Sequence, residues 1–476
     1  MTYSSLALFI DGSFRTDTGN HSDVVNPATG ETIAQLPHAG AAELDEALAA
    51  AARAFPGWSR TPAYDRGAIL RRGAQLIRDR VDMIARILVS EQGKVLAEAK
   101  GEVLFSADTI DWYAEEGRRA YGRTIPSRTP GMSHIVVPEP VGPCASFTPW
   151  NFPALTPARK IGGALAAGCT LILKAAEETP GTAVEMVRAL HDAGLPAGVL
   201  NLVFGVPSDV STHLLGSPLI RKVSFTGSTV VGKHLARLAA EHMQRMTLEL
   251  GGHAPVLVCG DVDPEKIADI AVAGKYRNAG QVCISPTRFY VHESIIDRFT
   301  DRFVTQAEGL KLGDGLDPDS RMGPLANERR LAAMEALVSD ARERGATIRT
   351  GGKRSGNRGF FFEPTVITDV DASAMVMNSE PFGPMAPIVP FRDLDEVLDR
   401  ANSLPYGLAS YAFTHSSSNA AAISSGLKAG MVGMNTFAVS HPETPFGGVR
   451  DSGVGSEGGI EGLQAYHDTK MISQVA

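Results

Sequence analysis

The sequence predicts an α/β protein with two doubly wound domains and a small β arm for oligomerisation, on three observations. From about residue 141, short apolar runs alternate with amphipathic helical stretches, the pattern of βαβ units in a parallel sheet. From about residue 250 to 440 the alternation repeats. Different in character is the segment "GRTIPSRTPGMSHIVVPEP", residues 122–140, rich in Pro, Ser and Thr with alternating apolar positions near its end. A two-stranded arm that pairs with another subunit fits it. At 476 residues the chain exceeds one compact core. The expected division is residues 1–120 and 141–249 for the first domain, 250–449 for the second, and 121–140 with 450–476 for the arm.

The elements follow in order. "AAELDEALAAAARAFPGW" and "AYDRGAILRRGAQLIRDRVDMIARILVSEQGK" read as long amphipathic helices that pack on the first sheet. Then come "VGPCASFTP" (strand), "LTPARKIGGALAAG" (helix), "CTLILKAA" (strand), "TPGTAVEMVRALHDAG" (helix), "VLNLVFG" (strand), "SDVSTHLLGSP" (helix), "IRKVSFTG" (strand) and "STVVGKHLARLAAEHM" (helix). "APVLVCG", "KIADIAVAGKYRNAG" and "RFYVHESI" open the second alternation.

Composition excludes several function classes. A 43% hydrophobic, 21% charged chain is an ordinary soluble globular protein. Net charge −8, with acids and bases interspersed, leaves no basic face for nucleic acid or an anionic membrane. "MTYSSLALFIDGSF" has only a short apolar run, and no stretch reaches the roughly 18 apolar residues of a membrane span. Four cysteines without CxxC or zinc spacing argue against a disulfide framework or a structural metal, so a cytoplasmic protein is expected.

Cys144, Cys169 and Cys259 sit in or beside apolar strand runs, where a thiol behaves as a small hydrophobe. Cys283 differs, lying in the polar, Gly-containing "KYRNAGQVCISPTRF" with Arg277 six residues before it. It is a candidate nucleophile that needs partners elsewhere. In "FTGSTVVGK", Gly227 and Gly232 flank a strand-to-helix turn where Ser228 can cap the helix and free N–H groups can hold a pyrophosphate oxygen. This is not GxGxxG, and an ordinary N-cap is the plain alternative. Lys174 and Glu177 follow a strand on the side where open sheets bind ligands, although a solvated loop explains either alone. Glu249, in "TLELGGHAP", is a candidate general base or a strand-end surface glutamate. Asn151, between Trp150 and Phe152, is a candidate oxyanion donor or a turn residue.

Together these pieces match one family in order and spacing. The sequence resembles the aldehyde dehydrogenase superfamily through "FTPWNFP" (147–153), "FTGST" (225–229), "LELGG" (248–252), "GQVC" (280–283), "EPFGP" (380–384) and "PFGGVRDSG" (445–453). The resemblance runs over essentially the full length. It implies Rossmann-like domains, the first binding NAD and the second catalytic, in a homodimer or homotetramer. It implies that Cys283 attacks an aldehyde, that the oxyanion is held by Asn151 and the Cys283 N–H, and that Glu249 activates the water that hydrolyses the thioester. Trp150, Lys174, Glu177 and Ser228, with Thr148, Gly227 and Leu250, would line the cofactor site, and Glu380 and Phe382 would hold the nicotinamide end. NAD is the expected cofactor and NADP the alternative; no metal is expected.

Arg159, Arg277 and Ser440 fall where semialdehyde dehydrogenases such as succinate-semialdehyde dehydrogenase hold the substrate's distal carboxylate. The wording around Cys283 resembles 2-oxoglutarate semialdehyde dehydrogenases as well, and a broad-specificity enzyme is the further alternative. Ala175 and His253 stand where proline and lysine are frequent, and Ser285 stands where some relatives carry a second cysteine. A cofactor-free thiol hydrolase would need a histidine paired with Cys283, and the 12 histidines offer no pairing motif. A CoA-acylating enzyme would not need Glu249, and a non-catalytic protein would not need nucleophile, base and oxyanion donor together.

Overall fold

The computed structural model describes residues 3–475. Strands buried on both faces must be apolar throughout, and the short runs read from the sequence form such strands. The first sheet has eight, in the order Gly453–Val454, Arg245–Glu249, Lys222–Thr226, Cys144–Phe147, Leu171–Lys174, Leu200–Val203, Leu8–Ile10, Ser13–Arg15. Its five central strands are parallel. The chain enters at Cys144–Phe147, steps outward to Leu200–Val203, then returns to the other side of Cys144–Phe147 as Lys222–Thr226. That reversal opens a crevice at the strands' C-terminal ends.

Both edges of this sheet's parallel core are covered by short strands of distant chain, which leaves only very short edge strands open. Leu8–Ile10 pairs antiparallel with Leu200–Val203, and Gly453–Val454 pairs antiparallel with Arg245–Glu249. The second sheet has seven strands, in the order Thr347–Thr350, Thr365–Thr368, Met385–Phe391, Pro286–His292, Ala254–Val258, Ala409–Phe413, Met431–Met434. All its pairings are parallel except the first. Each sheet has its own hydrophobic cluster.

The helical stretch expected over 63–94 is two helices, Ala63–Asp79 and Val81–Gln92, because Arg80 leaves helical geometry at φ −102° and ψ 11°. Helix Leu96–Glu116 gave no clear sequence signal, since Glu102, Ser106 and Thr109 are buried on it among apolar residues. Arg123–Pro126, Met132–Pro140 and His467–Val475 form an antiparallel three-stranded sheet. Residues 450–466, expected in the arm, lie against the body instead. Gly453–Val454 joins the first sheet, and helix Gly459–Gln464 packs on helix Leu155–Ala167. Among the described residues no helix is long and apolar enough to cross a membrane, and no cluster of His, Cys, Asp and Glu could hold a metal.

Candidate active site

A pocket of about 1060 Å³ lies between the C-terminal ends of the first sheet and the loops of the second. It brings together Cys283, Glu249 and Asn151, the three candidates for chemistry. Arg159, Arg277 and Ser440 line it too. So do Trp150, Gly227, Ser228, Leu250, Glu380 and Phe382 from the cofactor set. Thr148, Lys174 and Glu177 lie outside its wall, at and just past adjacent strand ends. There Lys174 Nζ pairs with Glu177 at 2.6 Å, and the Gly205 N–H donates to Glu177 at 3.3 Å.

The Cys283 turn is built by unusual backbone. Helix Pro264–Tyr276 ends, and Asn278, Ala279 and Gly280 run left-handed at φ 50°, 52° and 73°. Only glycine fits position 280, where a Cβ would lie 2.2 Å from the Gly383 carbonyl oxygen. This contact joins "GQVC" to "EPFGP". Asn151 Nδ2 donates to the Gln281 carbonyl at 3.0 Å, and the Tyr411 hydroxyl donates to the Ile284 carbonyl at 2.6 Å. Buried Lys275 donates to Ser285 Oγ at 3.1 Å. The thiol is therefore held on both sides by hydrogen bonds that do not involve its sulfur. All four cysteines are free, and only Cys283 is not fully buried. Desolvation, aided by Glu380 and Glu249 and opposed by Arg159, pushes the Cys283 thiol up to about 12.

The carboxylates around it are also destabilised as anions. Glu249 is 2% exposed and neither of its oxygens has a partner. Burial, then Glu457, raises it well above the carboxylate range against the pull of Arg159 and Lys160. Its backbone is fixed by the pairing with Gly453. Glu380 is pushed to about 7 by burial, with its Oε1 unpartnered. Phe382, at φ 44°, meets Trp150 edge-on at 5.4 Å between ring centroids. Ser228 caps helix Thr229–Ala240, accepting from the Val231 N–H at 3.4 Å.

Arg159 and Lys160, adjacent on one helix, do different work. Lys160 Nζ pairs with Glu457 at 2.6 Å and reaches Ser224 at 3.0 Å, all buried. Arg159 is 6% exposed, donates to Ser440 Oγ at 2.7 Å, and stacks on the Phe446 ring at 3.9 Å. Among the described residues neither Arg159 nor Arg277 has a carboxylate within ion-pair distance. Arg277, at the pocket's edge, lies 5.7 Å from the Phe152 ring.

Sequence reasoning missed a buried support beneath these residues. Lys94 Nζ pairs with Glu102 at 2.5 Å and donates to the Asn151 carbonyl at 2.9 Å. Glu102 in turn accepts from the Ala154 and Leu155 N–H groups at 2.9 and 3.2 Å. Glu457 and Lys160 were missed as well. Charged residues, whether in helices like Glu102 and Lys160 or in loops like Lys94 and Glu457, look solvated in a single sequence, so no signal marked them. His253 is a satisfied core histidine between Thr287 and the Val376 carbonyl, held neutral by burial.

The sequence pattern of the aldehyde dehydrogenase family matches residues 14–472. The chain belongs to the aldehyde dehydrogenase family. It is 49% identical to the 4-(hydroxymethyl)benzenesulfonate dehydrogenase of Comamonas testosteroni, over 100% of this chain and 99% of that one. It is 43% identical to the NADP(+) succinate-semialdehyde dehydrogenase of Escherichia coli, over 96% and 95%. The crystal structure of succinate-semialdehyde dehydrogenase from Burkholderia pseudomallei superposes with a TM-score of 0.97 at 42% identity, covering 99% and 98%. The protein is thus an NAD(P)-dependent aldehyde dehydrogenase with the two Rossmann-like domains of its fold.

A thiol raised to about 12 stays protonated through neutral pH in the ligand-free aldehyde dehydrogenase. The rate of Cys283 alkylation by iodoacetamide, with Cys283→Ala as blank, should rise about tenfold per pH unit from about pH 7 to 10 with no plateau. A plateau beginning near pH 8 would show that the pocket stabilises the thiolate instead.

Proposed function

We propose that this aldehyde dehydrogenase oxidises an aldehyde whose far end carries an anionic group, semialdehydes such as succinate semialdehyde included, and prefers NAD to NADP. The observation that carries the reading is the buried Arg159 guanidinium, which faces the pocket of Cys283 with a hydroxyl as its side-chain partner and no carboxylate. A buried cation without a counter-ion is costly, and a substrate anion supplies one. Ser440 fixes the guanidinium, and Arg277, more exposed, adds a second positive group to the pocket lining.

The proposed chemistry uses the residues in sequence. Cys283 Sγ releases its proton to solvent water and bonds to the aldehyde carbon, the C=O π electrons moving to oxygen as an oxyanion that the Asn151 amide and the Cys283 N–H stabilise. NAD(P), when held by the residues named below, would supply the two-electron acceptor that oxidation to the thioester needs. Glu249 takes a proton from water, whose oxygen attacks the thioester carbon and expels the Cys283 thiolate. The sum is aldehyde, water and NAD(P)+ to carboxylate, NAD(P)H and two protons. The site fits the cofactor on this structure's own features. Thr226 Oγ1 and Glu380 Oε1 are buried without partners beside the Ser228 helix start, where N–H groups suit a pyrophosphate. Trp150, Gly227, Leu250 and Phe382 shape that side of the pocket, and Thr148, Lys174 and Glu177 continue it along the sheet edge. Four free thiols suit a reducing cytoplasm. The strand His467–Val475, with Met471, Ile472 and Val475 exposed, suits the arm of a homodimer or homotetramer.

Three outcomes are expected. Glu249→Gln stalls at the thioester, so mass spectrometry of the quenched variant shows an acyl adduct on Cys283; near-wild-type turnover without an adduct removes Glu249 from deacylation. Arg159→Ala and Arg277→Ala each lose a charge-assisted contact of roughly 1.5 to 3 kcal/mol. That lowers kcat/KM for succinate semialdehyde about 10- to 150-fold while an uncharged aldehyde of similar length changes far less. Equal losses on both substrates would make the arginines structural. Wild type favours NAD, because the Glu177 carboxylate can accept from a ribose 2′-OH and repels a 2′-phosphate. Glu177→Ser relaxes the preference, and equal kcat/KM for both cofactors in wild type refutes this role.

A further inference from the structure

The loop that carries Ser440 also carries an aromatic ring into the substrate side of the pocket. Asn435 turns the chain at φ 58° off the second sheet, and its side chain pins the loop's base. Its Oδ1 accepts from the Thr414 N–H at 2.9 Å, and its Nδ2 donates to the Thr414 carbonyl at 3.0 Å. Phe437 then projects half-buried against Tyr411 and Phe413, with ring centroids 4.9 and 5.0 Å apart. Gly274 lies beside the ring, where a Cβ would sit in ordinary contact with it at 3.5 Å. Phe437, Tyr411 and Phe446 all line the pocket, and Phe446 carries the Arg159 guanidinium on its face. One loop thus supplies a rigid aromatic wall and, three residues on, the hydroxyl that holds the anion-binding arginine.

We infer that the preferred substrate class is an aromatic aldehyde whose ring bears an oxyanionic group, carboxylate or sulfonate. The inference rests on the anion reading above and deepens it. A flat ring gains edge and face contacts with Phe437 and Tyr411 that a methylene chain does not. A rigid ring also loses no internal rotors on binding, whereas the chain of a short aliphatic semialdehyde must be frozen to span the same two ends. The donors at the far end suit two- or three-oxygen anions alike. Arg159 keeps N–H groups beyond the one given to Ser440, and Arg277 donates to no protein side chain among the described residues.

The test is steady-state kinetics with NAD on four aldehydes: 4-formylbenzoate, 4-formylbenzenesulfonate, benzaldehyde and succinate semialdehyde. At least one aryl anion should exceed succinate semialdehyde about tenfold or more in kcat/KM, and the order of the two aryl anions tells which oxyanion the site favours. Phe437→Leu should lower the aryl-anion to succinate-semialdehyde ratio about tenfold, while Phe437→Tyr, which keeps the ring, retains it. Thermal denaturation of both variants controls for folding. Succinate semialdehyde outpacing both aryl anions, or a ratio unmoved by Phe437→Leu, overturns this inference alone. Benzaldehyde matching both aryl anions overturns the anion reading and this inference with it.

Discussion

The geometry of the pocket depends on the buried ion pair between Lys94 and Glu102. Burying two ions costs several kcal/mol each unless both are well solvated by protein. Here they are. Lys94 Nζ contacts Glu102, the Asn151 carbonyl and the face of Phe152 at 4.1 Å. Glu102 accepts from two N–H groups at the start of helix Leu155–Ala167, where the helix dipole favours a negative charge. The pair therefore locks the 149–155 loop to helix Leu96–Glu116. Its neighbours extend the lock to the nucleophile. Gln92 donates to Asn278 Oδ1 at 2.8 Å, and Glu98 accepts from the Asn278 N–H at 2.9 Å. Asn278 Nδ2 returns to the Asn151 carbonyl at 3.0 Å. Loops from two sheets are thus set by one short stretch, residues 92–102, which reaches the candidate residue Asn151 only through its backbone carbonyl.

That rigidity explains how the pocket keeps several titratable groups away from the water and counter-ions that would stabilise their charged forms. Cys283, Glu249 and Glu380 are each raised first by desolvation. A flexible site would let them rotate toward water or toward Arg159. Instead Glu249 keeps both oxygens unpartnered next to a guanidinium whose bond to Ser440 and stacking on Phe446 hold it elsewhere. Protein groups aimed at where charge develops act most strongly in such a desolvated space.

Much of this was legible in the sequence because its signals are local. Apolar runs of strand length marked the parallel sheets, and the motif segments converge on one pocket because each lies at or near a strand end or loop facing it. The left-handed run at 278–280 and the Gly280–Gly383 contact give the glycines of two motifs a common cause. What was not legible is long-range. Nothing in "EQGKVLAEAKGE" distinguishes a buried Lys94–Glu102 pair from an exposed helix pair, because burial is decided by partners more than 50 residues away. The same holds for Glu457, which reaches Lys160 across 297 residues, and for Gly453–Val454, which closes the first sheet's edge from beyond the second domain. The break at Arg80 was hidden because the charged and apolar positions continue helically through it.

The neighbouring residues Arg159 and Lys160 show how a helix turns sequence adjacency into functional separation. Successive helical side chains point about 100° apart, so one face of Leu155–Ala167 can look into the pocket while the next looks into the core. A lysine suits the inward position, since its compact ammonium is fully satisfied by Glu457 and Ser224. An arginine suits the pocket-facing one. Its planar guanidinium can lie on Phe446, donate sideways to Ser440, and still present further N–H groups in the same plane to a two- or three-oxygen anion. Exchanging the two would place a fork where a point charge is satisfied and a point charge where a fork is needed. The order Arg-Lys, rather than the presence of two cations, is what turns one cation toward the pocket and seats the other in the core.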